Sequence, residues 1–308
     1  NTNFIDAIKY FSMASNIDNQ NAKYFYNLGN AYFYNGWIQE AQKAYSKALY
    51  LNPENPDYRY SLAYLYYSNK DFPKARNEVK AILGICPEHA GTLVLKSLLY
   101  AQEKKYIEAV ELLEYCIEKN PNDDYAKMSL SSIYDNLGNY DKALLILEQT
   151  SAVKSKTPSS LYDLGEIYIH QKNYDKAAEI AENIIEVNPN YIAGYILGAR
   201  ASYLKENYNT TKDYAQNALS LDINCSEAYY YLSLSREKTN DTEEAIECMK
   251  RAILYDLTNP KYYAKMSDFY KEQKDYKTAL EYISEAESLD NTNKYKHQYS
   301  ELAKLVRG

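Results

Sequence analysis

Apolar residues in the first complete stretch of this chain recur at helical spacing, in two runs divided by a polar break. Phe25, Leu28, Ala31 and Tyr32 fall at i, i+3, i+6 and i+7, one face of a helix. Ala41, Ala44, Tyr45, Ala48 and Leu49 mark a second helix at similar spacing. Asn35-Gly36 separates the two, and both residue types tolerate the left-handed backbone that ends a helix. Asn52-Pro53 ends the second run, because the residue before proline avoids the helical region and proline lacks an amide hydrogen. Ala22 to Asn55 therefore predicts one helical hairpin.

That hairpin repeats. With Ala22 as position 1, position 20 holds Ala41, Ala75, Ala109, Ala143, Ala177, Thr211, Ala245 and Ala279 in steps of thirty-four. Position 32 holds Pro53, Pro87, Pro121, Ser155, Pro189, Ile223, Leu257 and Asn291. Position 11 is Tyr in six of eight copies, with Ser202 and Arg236 as the exceptions. Position 17 runs Ile38, Phe72, Tyr106, Tyr140, Tyr174, Tyr208, Thr242 and Tyr276. Four rows keep step without an insertion, and a fixed period of this size specifies a solenoid. The prediction is an all-α, right-handed α-solenoid of antiparallel helix pairs with a 34-residue period. A small residue at position 20 lets the paired helices approach closely. Asp141 and Asp175 are expected as N-caps of their second helices, and Pro73 is tolerated near a helix start.

The pattern resembles the tetratricopeptide repeat family, whose motif has an aromatic at position 4, Leu-Gly at 7 and 8, Tyr at 11, Ala at 20 and 27 and Pro at 32. Ala22–Asn55 supplies Phe25, Leu28, Gly29, Tyr32, Ala41, Tyr45, Ala48 and Pro53. The stretch from Ser159 supplies Leu161, Leu164, Gly165, Tyr168, Ala177, Ile184 and Pro189. The resemblance covers eight whole repeats: 22–55, 56–89, 90–123, 124–157, 158–191, 192–225, 226–259 and 260–293. Residues 1–21 match only the second helix of a repeat, with Ala7, Phe11 and Ala14 at positions 20, 24 and 27. Such a half-repeat suggests a chain cut from something longer. Residues 294–308 form a single expected capping helix with Tyr295, Tyr299, Leu302 and Val306 on one stripe. The fourth repeat lacks the usual Asn-Pro and ends in a small, polar stretch, Ser151 to Pro158. That stretch is read as an irregular turn or as a softer joint.

Composition narrows the chemistry. The net charge is −7 with both signs interspersed, whereas nucleic-acid binding needs a basic stripe. No apolar run is long enough to span a membrane. Cys86, Cys116, Cys225 and Cys248 are dispersed, as are His89, His170 and His297, so no metal site is expected. Cys116, at a small and buried position, is expected to fill core space, and free thiols fit a reducing, cytoplasmic setting. No Gly-rich phosphate loop, paired histidine or serine elbow is present, so neither catalysis nor a cofactor is expected.

The 37 tyrosines are the compositional outlier. They either replace other packing residues or build an adhesive groove. The resemblance implies that positions 2, 5, 9, 12 and 13 of each first helix face a concave surface. In the first repeat these include Tyr26, Asn30, Phe33 and Tyr34. The second adds Tyr60, Tyr64 and Tyr67, and the third Val94 and Leu98. Farther along come Tyr162, Arg200 and Tyr203. Tyrosine combines apolar area with a hydroxyl, which suits it to contacts. Only Asn30 matches the carboxylate clamp of chaperone-tail-binding members, and the Asn ladder of sugar-transferase arms is absent. The expected function is a non-catalytic scaffold that binds a protein or peptide partner in the concave groove. A substrate-recruiting arm of a larger enzyme, such as a glycosyltransferase or kinase, is the alternative. The exposed half-repeat also offers a surface for self-association.

Overall fold

The structure, a computed structural model, describes residues 2–290 and 292–307. Asn1, Asn291 and Gly308, and the side chains of Thr2, Asn3 and Arg307, lie outside the described residues. The first helix, α1, covers Thr2–Ile17. Four hairpins follow: α2 Ala22–Tyr34 with α3 Ile38–Leu51, α4 Pro56–Ser68 with α5 Phe72–Ile85, α6 Ala90–Gln102 with α7 Tyr106–Lys119, and α8 Asp124–Asn136 with α9 Tyr140–Leu147. After the short α10, Ser151–Lys154, come α11 Pro158–His170 with α12 Tyr174–Val187 and α13 Ile192–Leu204 with α14 Tyr208–Leu221. The series closes with α15 Ser226–Lys238 and α16 Thr242–Tyr255, α17 Pro260–Glu272 and α18 Tyr276–Leu289, then α19 Lys296–Arg307. No strand occurs among the described residues.

The chain forms two compact units, residues 1–150 and 151–308, each an all-helical solenoid of antiparallel pairs. The division falls within the fourth repeat. Its second helix, α9, stops after eight residues where the others run for fourteen. No proline or glycine stops it. Thr150 turns its hydroxyl back onto the Leu147 carbonyl at 2.7 Å, an alternative to continuing the helical ladder.

The turn inside every hairpin is the same. The residue at position 15 takes a left-handed backbone in all eight repeats: Gly36, Lys70, Lys104, Gly138, Lys172, Glu206, Asn240 and Lys274. Its amide bonds back three residues, and the next amide bonds back five, as Lys70 N–H to Tyr67 O and Asp71 N–H to Tyr66 O show. This pairing satisfies carbonyls that the helix end would leave orphaned. Gly36 alone of the Asn35-Gly36 pair is left-handed; Asn35 stays right-handed with φ −88°. The expected caps also shift. Asn139 and Asn173 occupy the N-cap positions, and Asn173 accepts from the Lys176 amide. Asp141 and Asp175 sit inside the first turn, where a carboxylate meets the positive end of the helix dipole.

Position 20 is fully buried in every repeat, from Ala41 to Ala279. Across from it, position 8 is Gly, Ala or Ser throughout. Ser131, Ser233 and Ser267 each donate a buried hydroxyl to the position-20 carbonyl of the same repeat, at 2.8, 2.6 and 2.8 Å. Helix contact and polar satisfaction coincide there. First helices also touch one another, α4 meeting α2 and α6, and α13 meeting α11 and α15. They form the inner row of each unit. At the start, Ala7, Ile8 and Phe11 of α1 pack on Leu28, Ala31 and Ala44. At the end, Tyr295, just before α19, and Leu302 of α19 bury against the last hairpin, while Val306 stays exposed.

Candidate functional site

Helical spacing places Tyr26, Asn30, Phe33 and Tyr34 on one face of α2, and Tyr60, Ser61 and Tyr64 on the matching face of α4. With Gly91 of α6 and Tyr125 of α8 they line a single concavity of about 590 Å³ in the first unit. The rings touch in a continuous chain. Tyr34 lies edge-on to Phe33 at 5.6 Å between centroids, and Phe33 edge-on to Tyr64 at 5.9 Å. Tyr64 stacks with Tyr60 at 6.2 Å and with Tyr67 at 6.5 Å. These are the offset and edge geometries that aromatic quadrupoles favour. The two alternatives for the tyrosines are thus not exclusive: the rings pack against one another and still present a face to the groove.

Gaps in the backbone make room for the rings. A Cβ on Gly29 would stand 2.5 Å from the Tyr45 ring, and one on Gly91 would stand 3.1 Å from Tyr60. Tyr45 comes from α3, on the far side of the hairpin, and donates its hydroxyl to Asn30 Oδ1 at 2.8 Å. Tyr26 stacks on Tyr58 at 4.9 Å. His89 lies 5.6 Å from Tyr60. Its Nδ1 accepts the Thr92 amide, so Nε2 carries the proton that faces Asp57 Oδ1 at 3.2 Å. Burial pushes the Tyr60 hydroxyl up to about 12, and raises Tyr125 as well, with Tyr64 adding to both. These phenols remain neutral donors at physiological pH.

The inner residues expected from sequence divide by burial. Tyr34 is 66 % exposed. Tyr26, Tyr60, Tyr64, Tyr67 and Leu98 are half-buried. Val94 is fully buried, so it supports the wall from behind and offers no surface to a partner. Tyr45 and His89 also line the cradle and Tyr58 backs Tyr26; the inner-face positions omit them because they lie on a second helix, at a cap and off the inner face. The Gly29–Tyr45 pairing, a missing side chain beside an oversized one, was the signal for the first.

Tyr162, Arg200 and Tyr203 lie in the second unit, apart from that cradle. There Arg200 Nη1 donates to Glu166 Oε2 at 2.6 Å, joining the same position of consecutive repeats. Lys265 similarly holds Glu237 at 2.6 Å. Partial desolvation raises the Glu227 and Asp163 carboxyls although both residues remain exposed, and Glu166 raises both further; Lys261 and Arg200 pull Glu227 down only in part. Burial likewise raises Asp268, which accepts from Gln298 at 2.8 Å. This inner face is tyrosine-rich, acidic and incompletely neutralised. The thiols play no part in either face: all four cysteines are free, and burial pushes Cys116 up to about 11.

Repeating helix pairs with an inner row of first helices define an α-solenoid of the helical-hairpin class. The chain belongs to the tetratricopeptide repeat family: family models of that description match residues 26–90, 100–160, 158–191, 226–259 and 260–293. Such repeats are generally protein–protein interaction modules. A comparison with curated protein sequences finds no match. Among solved structures, the fold is similar to a tetratricopeptide repeat protein from Parabacteroides merdae ATCC 43184, at 17 % identity and a TM-score of 0.66, covering 80 % of this chain and 98 % of that one. It is also similar to a chain of the APC/C hetero-tetramer Cut9–Hcn1, at 15 % identity and 0.66, covering 96 % of this chain and 58 % of that one. Among the described residues, no helix is long and apolar enough to cross a membrane.

Proposed function

We propose that this chain is a non-catalytic scaffold whose aromatic cradle holds an extended or helical segment of a protein partner. The observation that carries the reading is the cradle itself. Tyrosines from three first helices, α2, α4 and α8, line one concavity with open ring faces and neutral hydroxyls. Tyr34, two-thirds exposed, stacks on Phe4 and lies edge-on to Phe33. Aromatic clusters of this kind are where binding energy concentrates. A similarly folded chain in a hetero-tetramer supports a role in assembly with other proteins. Free thiols fit a reducing, cytoplasmic setting.

The test is capture of partners from the source lysate, read by mass spectrometry. Baits would be the wild type, a Tyr34→Ala/Tyr125→Ala variant and a Ser61→Arg variant that fills the groove. A partner held by the first bait and lost by both variants, at unchanged helicity, supports the reading. Equal capture by all three refutes it. A second reading, self-association, is favoured by Ile5, Tyr10, Met13 and Ile17, which α1 leaves exposed. Light scattering that gives one chain's mass at every concentration excludes it.

A further inference from the structure

A second concavity of the first unit shares no residue with the cradle. It is an apolar trough of about 570 Å³ between α5 and α6. Equivalent positions also line concavities of about 550 Å³ between α14 and α15 and about 380 Å³ between α7 and α8, so what distinguishes this one is its lining. At position 7 six repeats bury Leu28, Leu62, Leu130, Leu164, Leu232 or Met266 and the sixth repeat has Gly198, whereas the third carries a half-buried Lys96. Position 29 varies from repeat to repeat; in the second it is Gly84, and nothing lies within 4 Å of where its Cβ would stand.

Val79, Leu83 and Leu99 supply the apolar floor. The rim is cationic. Arg76, Lys80 and Lys96 line it together with the single carboxylate of Glu103, a surplus of two positive charges in a chain of net charge −7. Glu103 is itself shared between Arg76 and Lys105. Lys96 lies over the Tyr100 ring at 5.5 Å, its stem along the apolar wall and its ammonium at the edge. An apolar floor with surplus positive charge at its rim complements a molecule with an apolar tail and an anionic head. Size argues against a whole protein surface. Nine residues from two helices fall short of the ~800 Å² per partner of a specific interface, while the volume suits a small-molecule site.

We propose that this trough binds a linear carboxylate amphiphile, a medium-length acyl chain lying on Val79, Leu83 and Leu99 with its carboxylate held by Lys80 and Lys96. The proposal is independent of the cradle, so failure of either leaves the other standing. The probes are octanoate and decanoate below their micellar concentrations, with decyltrimethylammonium as the cationic counterpart, titrated calorimetrically into the whole chain. Decanoate should bind at one site, about tenfold tighter than octanoate because two more methylenes are buried. The ammonium should bind at least tenfold more weakly. Gly84→Leu should weaken decanoate at least tenfold by filling the trough, and the fold should survive because leucine is the better helix former. Lys80→Glu should weaken decanoate and not the ammonium. No binding of decanoate at millimolar concentration, equal affinity for the two head groups, or unchanged affinity in a folded Gly84→Leu variant each overturns the proposal.

Discussion

The shared left-handed turn makes a quantitative prediction. Its backbone φ is +81° and +73° at Gly36 and Gly138, and between +60° and +63° at the other six repeats. Four of those six are lysines, Lys70, Lys104, Lys172 and Lys274. An L-residue in this region costs roughly 1–2 kcal/mol, from Cβ crowding against the following carbonyl oxygen. Replacing lysine by glycine removes that cost but frees the unfolded chain, which offsets roughly 0.4–1 kcal/mol. The net expectation is a gain of about 0.5–1 kcal/mol for each Lys→Gly. Lys172 and Lys274 sit three repeats apart within one unit, so their effects should add to about 1–2 kcal/mol. Gly138→Lys should lose a similar amount to one such gain. The chain has two compact units, so a single global melt is not guaranteed to be two-state. Hydrogen exchange of amides within α11–α14 and α17–α18, with urea titration as a check, resolves the unit concerned. Slower exchange in Lys172→Gly and Lys274→Gly, and faster exchange around α8 and α9 in Gly138→Lys, is the predicted pattern. Lys→Gly variants that lose stability, beside a neutral Gly138→Lys, would refute the account of the turn.

Gly29→Ala should destabilise the first unit by about 1–3 kcal/mol, because its Cβ would stand 2.5 Å from Tyr45 Cδ1 in a filled core. Tyr45→Leu in the same chain should recover part of the loss in thermal melts; no recovery would mean that another contact is responsible. In the second unit, the raised Glu227 carboxyl makes its ionised form unfavourable in the folded state. A carboxyl whose folded pKa lies above its unfolded one contributes stability below the unfolded value and loses it as pH rises through the folded value. Glu227→Gln should therefore stabilise the chain at pH 7, and the difference should shrink as pH falls toward 4. A difference that grows on acidification would reverse the assignment.

Much of the fold could be read from residue spacing, and the reason lies in the repetition. Asn35-Gly36 marks a helix stop by itself, but Glu206 or Lys172 does not. Only the fixed period assigns them the same left-handed turn. Position 20 was legible because alanine there is invariant in type but for Thr211, and its neighbour across the hairpin must be small too. The serine hydroxyls on position-20 carbonyls were not legible, since sequence gives no sign of whether Ser131 turns inward or out. The cradle was half legible. Inner-face positions located Tyr60 and Tyr64, yet the same rule included Val94, which the third first helix buries completely. Periodicity gives a residue's direction from the helix axis and not how far neighbouring helices close over it. The break after Leu147 was visible only as a missing Asn-Pro, because a threonine hydroxyl returning to the backbone is a local competition that propensities alone do not resolve.

The degenerate repeats show how the array keeps its period while losing its signature. In four repeats the position-11 tyrosine lies beneath a lysine, three times from position 19: Lys74 over Tyr66, Lys142 over Tyr134 and Lys176 over Tyr168, each within 5.4 Å. The seventh repeat has Arg236 at position 11 and Glu244 at position 19, with Asp241 three residues earlier. Arg236 bonds Asp241 and Glu244 at 2.8 Å each. The cation has moved from one helix to the other, and the aromatic face has been replaced by carboxylates. The sixth repeat changes both helices at once. Ser202 replaces the tyrosine and Thr211 the alanine, and their buried hydroxyls meet at 3.1 Å. Either substitution alone would leave a polar group without that partner, or a void where the tyrosine ring stood. Both lapses are pairwise, and both join the two helices of one hairpin. The hairpin is thus the unit within which substitutions are matched. The inner face, with its tyrosines and carboxylates, varies from repeat to repeat.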